Sequence, residues 1–127
     1  DHPRNVPDDV LQRMPKNGGV VMVNFFSKYV IPTAQRNKNE NLPGTIHDVV
    51  DHIHHIATVA GVSHVGIGSD FDGVSRLPEQ LEDVSMYPLI TQELLNRGYA
   101  KTDIHKILGG NTLRARRAAE KVAAKLR

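Results

Sequence analysis

The sequence contains no cysteine. That absence excludes disulfides, thiolate metal sites and cysteine nucleophiles, and it is compatible with the cytoplasm. No apolar run approaches the ~20 residues of a membrane span. The chain opens Asp1-His2-Pro3-Arg4-Asn5, without an initiator methionine or the apolar segment of a signal peptide. Such a start is expected of a fragment, a processed chain or an engineered truncation. Charge of one sign is also scarce. The net charge is +2, so the field of the whole molecule argues neither for nor against nucleic acid. Aromatic residues make up 5%, which leaves few rings to stack bases. No P-loop, G-x-S-x-G elbow or H-E-x-x-H pair is present. Gly66-x-Gly68 lacks the third glycine of a dinucleotide fingerprint and does not open directly into a helix.

What is present is an ordinary globular balance, 39% hydrophobic and 24% charged over 127 residues, which fits one domain with a modest core. The stretch His64 to Val74 organises the rest. It starts as an apolar strand and ends in a polar turn flanked by glycine. Alternation places Gly66, Gly68 and Asp70 on one side, nearly empty but for the carboxylate, and Val65, Ile67 and Ser69 on the other. In parallel α/β sheets and barrels, chemistry sits at the carboxyl ends of strands, where Asp70 falls. Asp70 and Asp72 read equally well as turn residues beside Gly73.

Residues 1–7 read as a loop. Asp8 and Asp9 open a short helix with Val10, Leu11 and Met14 on its apolar side, ended by Pro15 and Gly18-Gly19. The run Val20 to Phe26 suits a strand buried on both faces, and Asn24 near its end either binds something or caps the loop. Residues 27–44 read as a long polar loop. Thr45 is the expected N-cap of a helix carrying Ile46, Val49, Val50, Ile53, Ile56, Ala57 and Ala60, closed by Gly61. Pro88 is expected to start a helix that Gly98 closes, and Thr102 to cap the next. Gly109-Gly110-Asn111 breaks that helix, and residues 112–127 form a last, alanine-rich one. Two strands alternating with helices indicate a parallel α/β fold. Two strands do not close a sheet, and a (β/α)8 barrel needs roughly twice this length.

Seven histidines invite a metal reading. His52 and His55 share a helix face with Asp48 and Asp51 nearby, but that helix is expected outside the sheet, where partly buried or solvated histidines are the simpler account. His64 starts its strand, at the wrong end for catalysis, and His105 reads as structural. Arg4, held between Pro3 and Pro7, is either a carboxylate clamp or a surface arginine. The last helix carries Arg114, Arg116, Arg117, Lys121, Lys125 and Arg127 against Glu120 alone. A solvated outer face explains these charges better than nucleic acid does.

Five motifs then occur in order. They are Asp1-His2-Pro3-Arg4-Asn5-Val6-Pro7-Asp8-Asp9, Val20-Val21-Met22-Val23-Asn24-Phe25, Val65-Gly66-Ile67-Gly68-Ser69-Asp70-Phe71-Asp72-Gly73-Val74, Leu81-Glu82-Asp83-Val84-Ser85-Met86-Tyr87-Pro88 and Ile107-Leu108-Gly109-Gly110-Asn111-Thr112-Leu113-Arg114. Together they closely resemble the membrane (renal) dipeptidase family, the zinc peptidases of family M19, over nearly the whole chain. The resemblance implies α/β architecture, the C-terminal portion of a (β/α)8 TIM-type barrel of the metal-dependent hydrolase type, with residues 1–127 as part of a single barrel domain. It implies hydrolysis of the peptide bond of dipeptides with two Zn2+ ions. It implies that Arg4 holds the substrate's C-terminal carboxylate, that Tyr29 lines the pocket, and that Asp70 handles a proton beside the metal pair. Asn24 and Asp72 look like supporting groups.

The family's metal ligands are a His-x-Asp pair, a bridging glutamate and two histidines, and all are expected upstream of Asp1. The chain alone is therefore expected to be inactive. Its expected partners are a dipeptide and the N-terminal part of the barrel, or failing that another copy of itself. The full enzyme is expected to be a homodimer, without nucleic acid. The alternative is a non-catalytic interaction module using the basic last helix or the exposed sheet.

Overall fold

The computed structural model describes residues 2–39 and 41–126. Asp1 at the head of the first motif, Glu40 in the polar segment and Arg127 of the basic helix lie outside the described residues. The two apolar runs form strands β1 (Val21–Asn24) and β2 (Val65–Ser69), paired in parallel with Val21 beside Val65, Met22 beside Gly66 and Val23 beside Ile67. The register then slips, so that Asn24 pairs with Ser69. Parallel strands need a crossover, and helix α5 (Ile46–Ala60) supplies it. The Asp48 carboxylate accepts the Thr45 backbone N–H at 2.7 Å and its hydroxyl at 3.0 Å, which fixes the start of that helix. Ile46, Val49, Val50, Ile53, Ile56 and Ala60 are buried, the helical spacing read from the sequence. They meet Val23 and Val65 from the sheet, Phe25 just beyond β1, and Leu81, Ile90, Leu94, Ile104 and Ile107 from later segments in one core.

Only one face of β1 is covered by this core. Val23 is buried while Met22 is 43% exposed, which corrects the expectation of a strand buried on both sides. The Met22 side chain lies across Gly66 and Gly68. A Cβ on Gly66 would come within 2.7 Å of its sulfur, and one on Gly68 within 3.1 Å of its Cβ. The two glycines are thus a trough for one methionine. Among the described residues the sheet has two strands, so the far edges of both are unpaired.

Several short elements differ from expectation. Pro15 does not end a helix. It sits in the first turn of α2 (Met14–Asn17), which follows α1 (Asp8–Leu11), because that position has no N–H bond to lose. Gly18, at φ 71°, makes the actual stop. The segment 27–44 contains two single-turn helices, α3 (Ser27–Val30) and α4 (Thr33–Arg36), too short to show periodicity. Helix α6 (Tyr87–Asn96) carries Pro88 in its first turn, and Gly98 follows at φ 82°. Helix α7 (Lys101–His105) is capped by Ala100 rather than Thr102, since the Ala100 carbonyl already accepts from Asp103 and Ile104. A kink at Gly109 leads into α8 (Asn111–Lys125). No helix among the described residues is long and apolar enough to cross a membrane.

The amino ends of the strands are fastened by polar groups. Buried Asn111 donates to the carbonyls of Val62 at 2.8 Å and Val65 at 2.9 Å. Arg114 donates to Gly18 O at 2.7 Å and Ser63 O at 2.8 Å. His64 Nδ1 donates to Gly19 O at 2.8 Å, at the strand end away from Asp70.

Candidate active site

Both strands end in polar residues that meet. The Asn24 side-chain oxygen accepts the Phe26 N–H at 2.7 Å, which leaves its amide nitrogen to donate to Asp70 Oδ2, also at 2.7 Å. The slip in register brings these side chains together. Ser69 and Asp70 adopt positive φ, 39° and 75°, which turns the chain sharply out of the strand. Left-handed backbone costs roughly 1–2 kcal/mol per non-glycine residue, less for aspartate. The surroundings hold this turn. The Asp70 carbonyl accepts the Gly73 N–H at 3.1 Å, and the Ser69 carbonyl accepts the Phe25 N–H at 2.9 Å. Any Cβ on Gly73 would collide with the Asp70 carboxylate. Phe71 packs edge-on against the buried Phe25 ring at 5.9 Å, pinning the next residue to the core. Asp72 is exposed and has no hydrogen-bond partner among the described residues.

Arg4 and Tyr29 come together on the first loop and α3. The Arg4 guanidinium lies 5.8 Å from the centre of the Tyr29 ring, within cation–π range. That ring is flanked by His2 at 4.7 Å and Phe26 at 4.9 Å. Asn5 donates to the Tyr29 carbonyl at 2.9 Å and ties the loop to the helix. Arg4, Tyr29 and Asn24 line one open cleft of about 1090 Å³, along the free edge of β1. Asp70 does not line it, and touches it only through Asn24. Sequence reasoning missed His2, which packs against Tyr29. Nothing in its spacing marks it.

The histidines of α5 are used separately. The His52 ring nitrogen lies 3.2 Å from the Val30 carbonyl, and burial holds its pKa below the ordinary histidine value. His55 meets Asp8 at 2.7 Å and His54 meets the Tyr99 hydroxyl at 2.9 Å. Among the described residues, no group of three or more His, Cys, Asp or Glu is gathered to hold a metal. The donor set of the described residues therefore does not fit a metal pair by itself.

A sequence model of the membrane dipeptidase family, peptidase family M19, matches residues 1–127. The chain belongs to that family. Curated dipeptidases are similar to it over nearly its whole length. Dipeptidase aclJ of Aspergillus oryzae is 44% identical over 125 residues, 98% of this chain and 28% of that protein. An uncharacterized dipeptidase of Schizosaccharomyces pombe is 46% identical over 121 residues, 94% of this chain and 28% of that one. The chain thus spans about 28% of the length of these curated relatives.

Solved structures agree. The probable dipeptidase PvdM of Pseudomonas aeruginosa matches 91% of this chain, using 40% of its own, with a TM-score of 0.76 and 27% identity. A metallo peptidase of Rhodobacter sphaeroides, liganded with a phosphinate mimic of the dipeptide L-Ala-D-Ala, matches 88% of this chain and 30% of its own, with a TM-score of 0.76 and 26% identity. The fold class is α/β, the C-terminal portion of a (β/α)8 barrel with two parallel strands and flanking helices in this chain.

Proposed function

We propose that the complete polypeptide containing this chain is a zinc-dependent dipeptidase that hydrolyses the single peptide bond of a dipeptide. Arg4 binds the free C-terminal carboxylate through its guanidinium fork, and Tyr29 packs beside it. A longer peptide presents no carboxylate at that distance from the scissile bond, so the clamp selects dipeptides. Asp70 accepts or returns a proton at the reacting centre, held in one orientation by the amide of Asn24. The proposed cofactor is a pair of zinc ions, which in such sites supplies an activated water. Their ligands are assigned outside residues 1–127, and no residue described here is given that role. The rest of the barrel is proposed to cover the open strand edges, and the complete enzyme to be a homodimer.

The observation that supports this reading best is the cleft shared by Arg4, Tyr29 and Asn24, with the strand-end Asp70 bonded to the last of these. Metal analysis combined with a dipeptide hydrolysis assay tests it, on residues 1–127 alone and on the complete polypeptide. The complete protein is expected to hold metal and turn over a dipeptide such as Ala-D-Ala, with activity lost on chelation. The isolated chain is expected to be inactive. Equal rates on dipeptides and tripeptides would remove the carboxylate clamp. No metal-dependent turnover by the complete protein would remove the dipeptidase reading.

A further inference from the structure

A second concavity, of about 790 Å³, adjoins the Arg4 cleft and shares His2 and Pro3 with it. Lys28, Arg36 and Lys38 line it together with two asparagines, all from the segment around α3 and α4. No described carboxylate lies within ion-pair distance of these three cations. Arg36 is held in place, donating to the Lys28 carbonyl at 2.7 Å and to the Thr33 hydroxyl at 3.1 Å. These bonds leave part of the guanidinium fork unused, since arginine has five N–H donors. The local field is positive at His2, whose pKa is lowered first by burial and then by Arg36, Arg4 and Lys28. Like charges collected around a hollow without counterions among the described residues repel one another, and an anion in the hollow relieves that repulsion.

We propose that this concavity is an anion subsite for the side-chain carboxylate of the substrate's C-terminal residue, so that the substrate class is dipeptides ending in aspartate or glutamate. The proposal rests on the dipeptidase reading. Arg4 takes the α-carboxylate, and the neighbouring cations take the second one. A free anion such as inorganic phosphate has the same chemistry and is separated from it below.

The test compares kcat/KM of the complete enzyme for Ala-Asp, Ala-Ala and Ala-Lys. Ala-Asp is expected to exceed Ala-Lys by at least about tenfold, the size of one modest charge interaction. Arg36→Gln is expected to bring that ratio close to one. Because Arg36 also braces its loop, the double variant Lys28→Gln/Lys38→Gln, which removes no described hydrogen bond of those side chains, is measured too and should lower the ratio several-fold. A ratio at or below one in the native enzyme, or one unchanged in both variants, overturns the proposal. Inorganic phosphate should compete more strongly against Ala-Asp than against Ala-Ala. Tight phosphate binding without any Ala-Asp preference assigns the hollow to a free anion and also overturns it. A second readout needs no turnover. Succinate should give saturable NMR shifts at the backbone amides of residues 27–39, absent in the double variant. If no dipeptide is hydrolysed, the dipeptidase reading fails and the substrate class falls with it. The succinate titration then shows separately whether the anion subsite exists, and no shift at those amides removes it.

Discussion

Asn24 faces two ways. Its oxygen is committed to the Phe26 N–H, so only its nitrogen is left for Asp70. Asn24→Asp keeps the first bond and replaces the second with carboxylate against carboxylate. In the complete enzyme this change should lower kcat, as Asp70→Asn should, with metal content retained in both. Native turnover in Asp70→Asn would take that residue out of the mechanism. Arg4→Ala belongs to binding instead. Loss of a charged bidentate contact is worth about 1.5–3 kcal/mol, so KM should rise by roughly ten- to a hundredfold with kcat little changed. His52 gives a prediction in pH. Burial lowers its pKa in the folded state, so the unfolded chain binds the extra proton first as pH falls below the ordinary histidine value of 6.5. Stability should therefore be full above that value and decline below it. Denaturant midpoints measured at pH 7.5 and 5.5 should differ, and His52→Gln should narrow the gap.

Elements were legible in proportion to their length. Helix α5 declares itself through an N-cap threonine, fifteen residues of regular apolar spacing and a closing glycine, and it forms with the expected bounds. The strands were legible from β-branched residues, and their parallel pairing from the helix between them. Single turns such as α3 and α4 carry too few residues for any period to appear, and the polar composition of 27–44 hides them. The exposed side of β1 departs from the expectation because a continuous apolar run describes a strand in a closed barrel, whereas among the described residues the Met22 side meets the glycine trough and the Thr112 hydroxyl rather than a second core. At the site, Asn24 was visible as a polar break in an apolar run. Its bond to Asp70 depends on a one-residue slip that no pattern encodes. At the other end of the sheet, Asn111 satisfies two carbonyls at once. Asn111→Ala strands the buried Val65 carbonyl and the part-buried Val62 carbonyl and should lower stability by about 2–3 kcal/mol, measurable as a lower denaturant midpoint.

For the molecule as a whole, family membership explains what local chemistry leaves open. The α8 residues Leu113 and Val122 are exposed, Leu126 is 82% exposed, and both outer strand edges lack partners among the described residues. Unpaired edges and bare apolar side chains drive association. Size-exclusion chromatography of residues 1–127 alone is expected to show self-association, relieved when the rest of the barrel is supplied. A compact monomer would contradict this. Arg114 adds a constraint on timing. Its guanidinium joins Gly18 and Ser63, segments made long before it during synthesis. The His64–Gly19 bond needs no later segment, but the Gly18 and Ser63 carbonyls gain their arginine only after α8 has left the ribosome. A ribosome stalled short of position 114 should carry a nascent chain whose Gly18 and Ser63 regions remain open to protease.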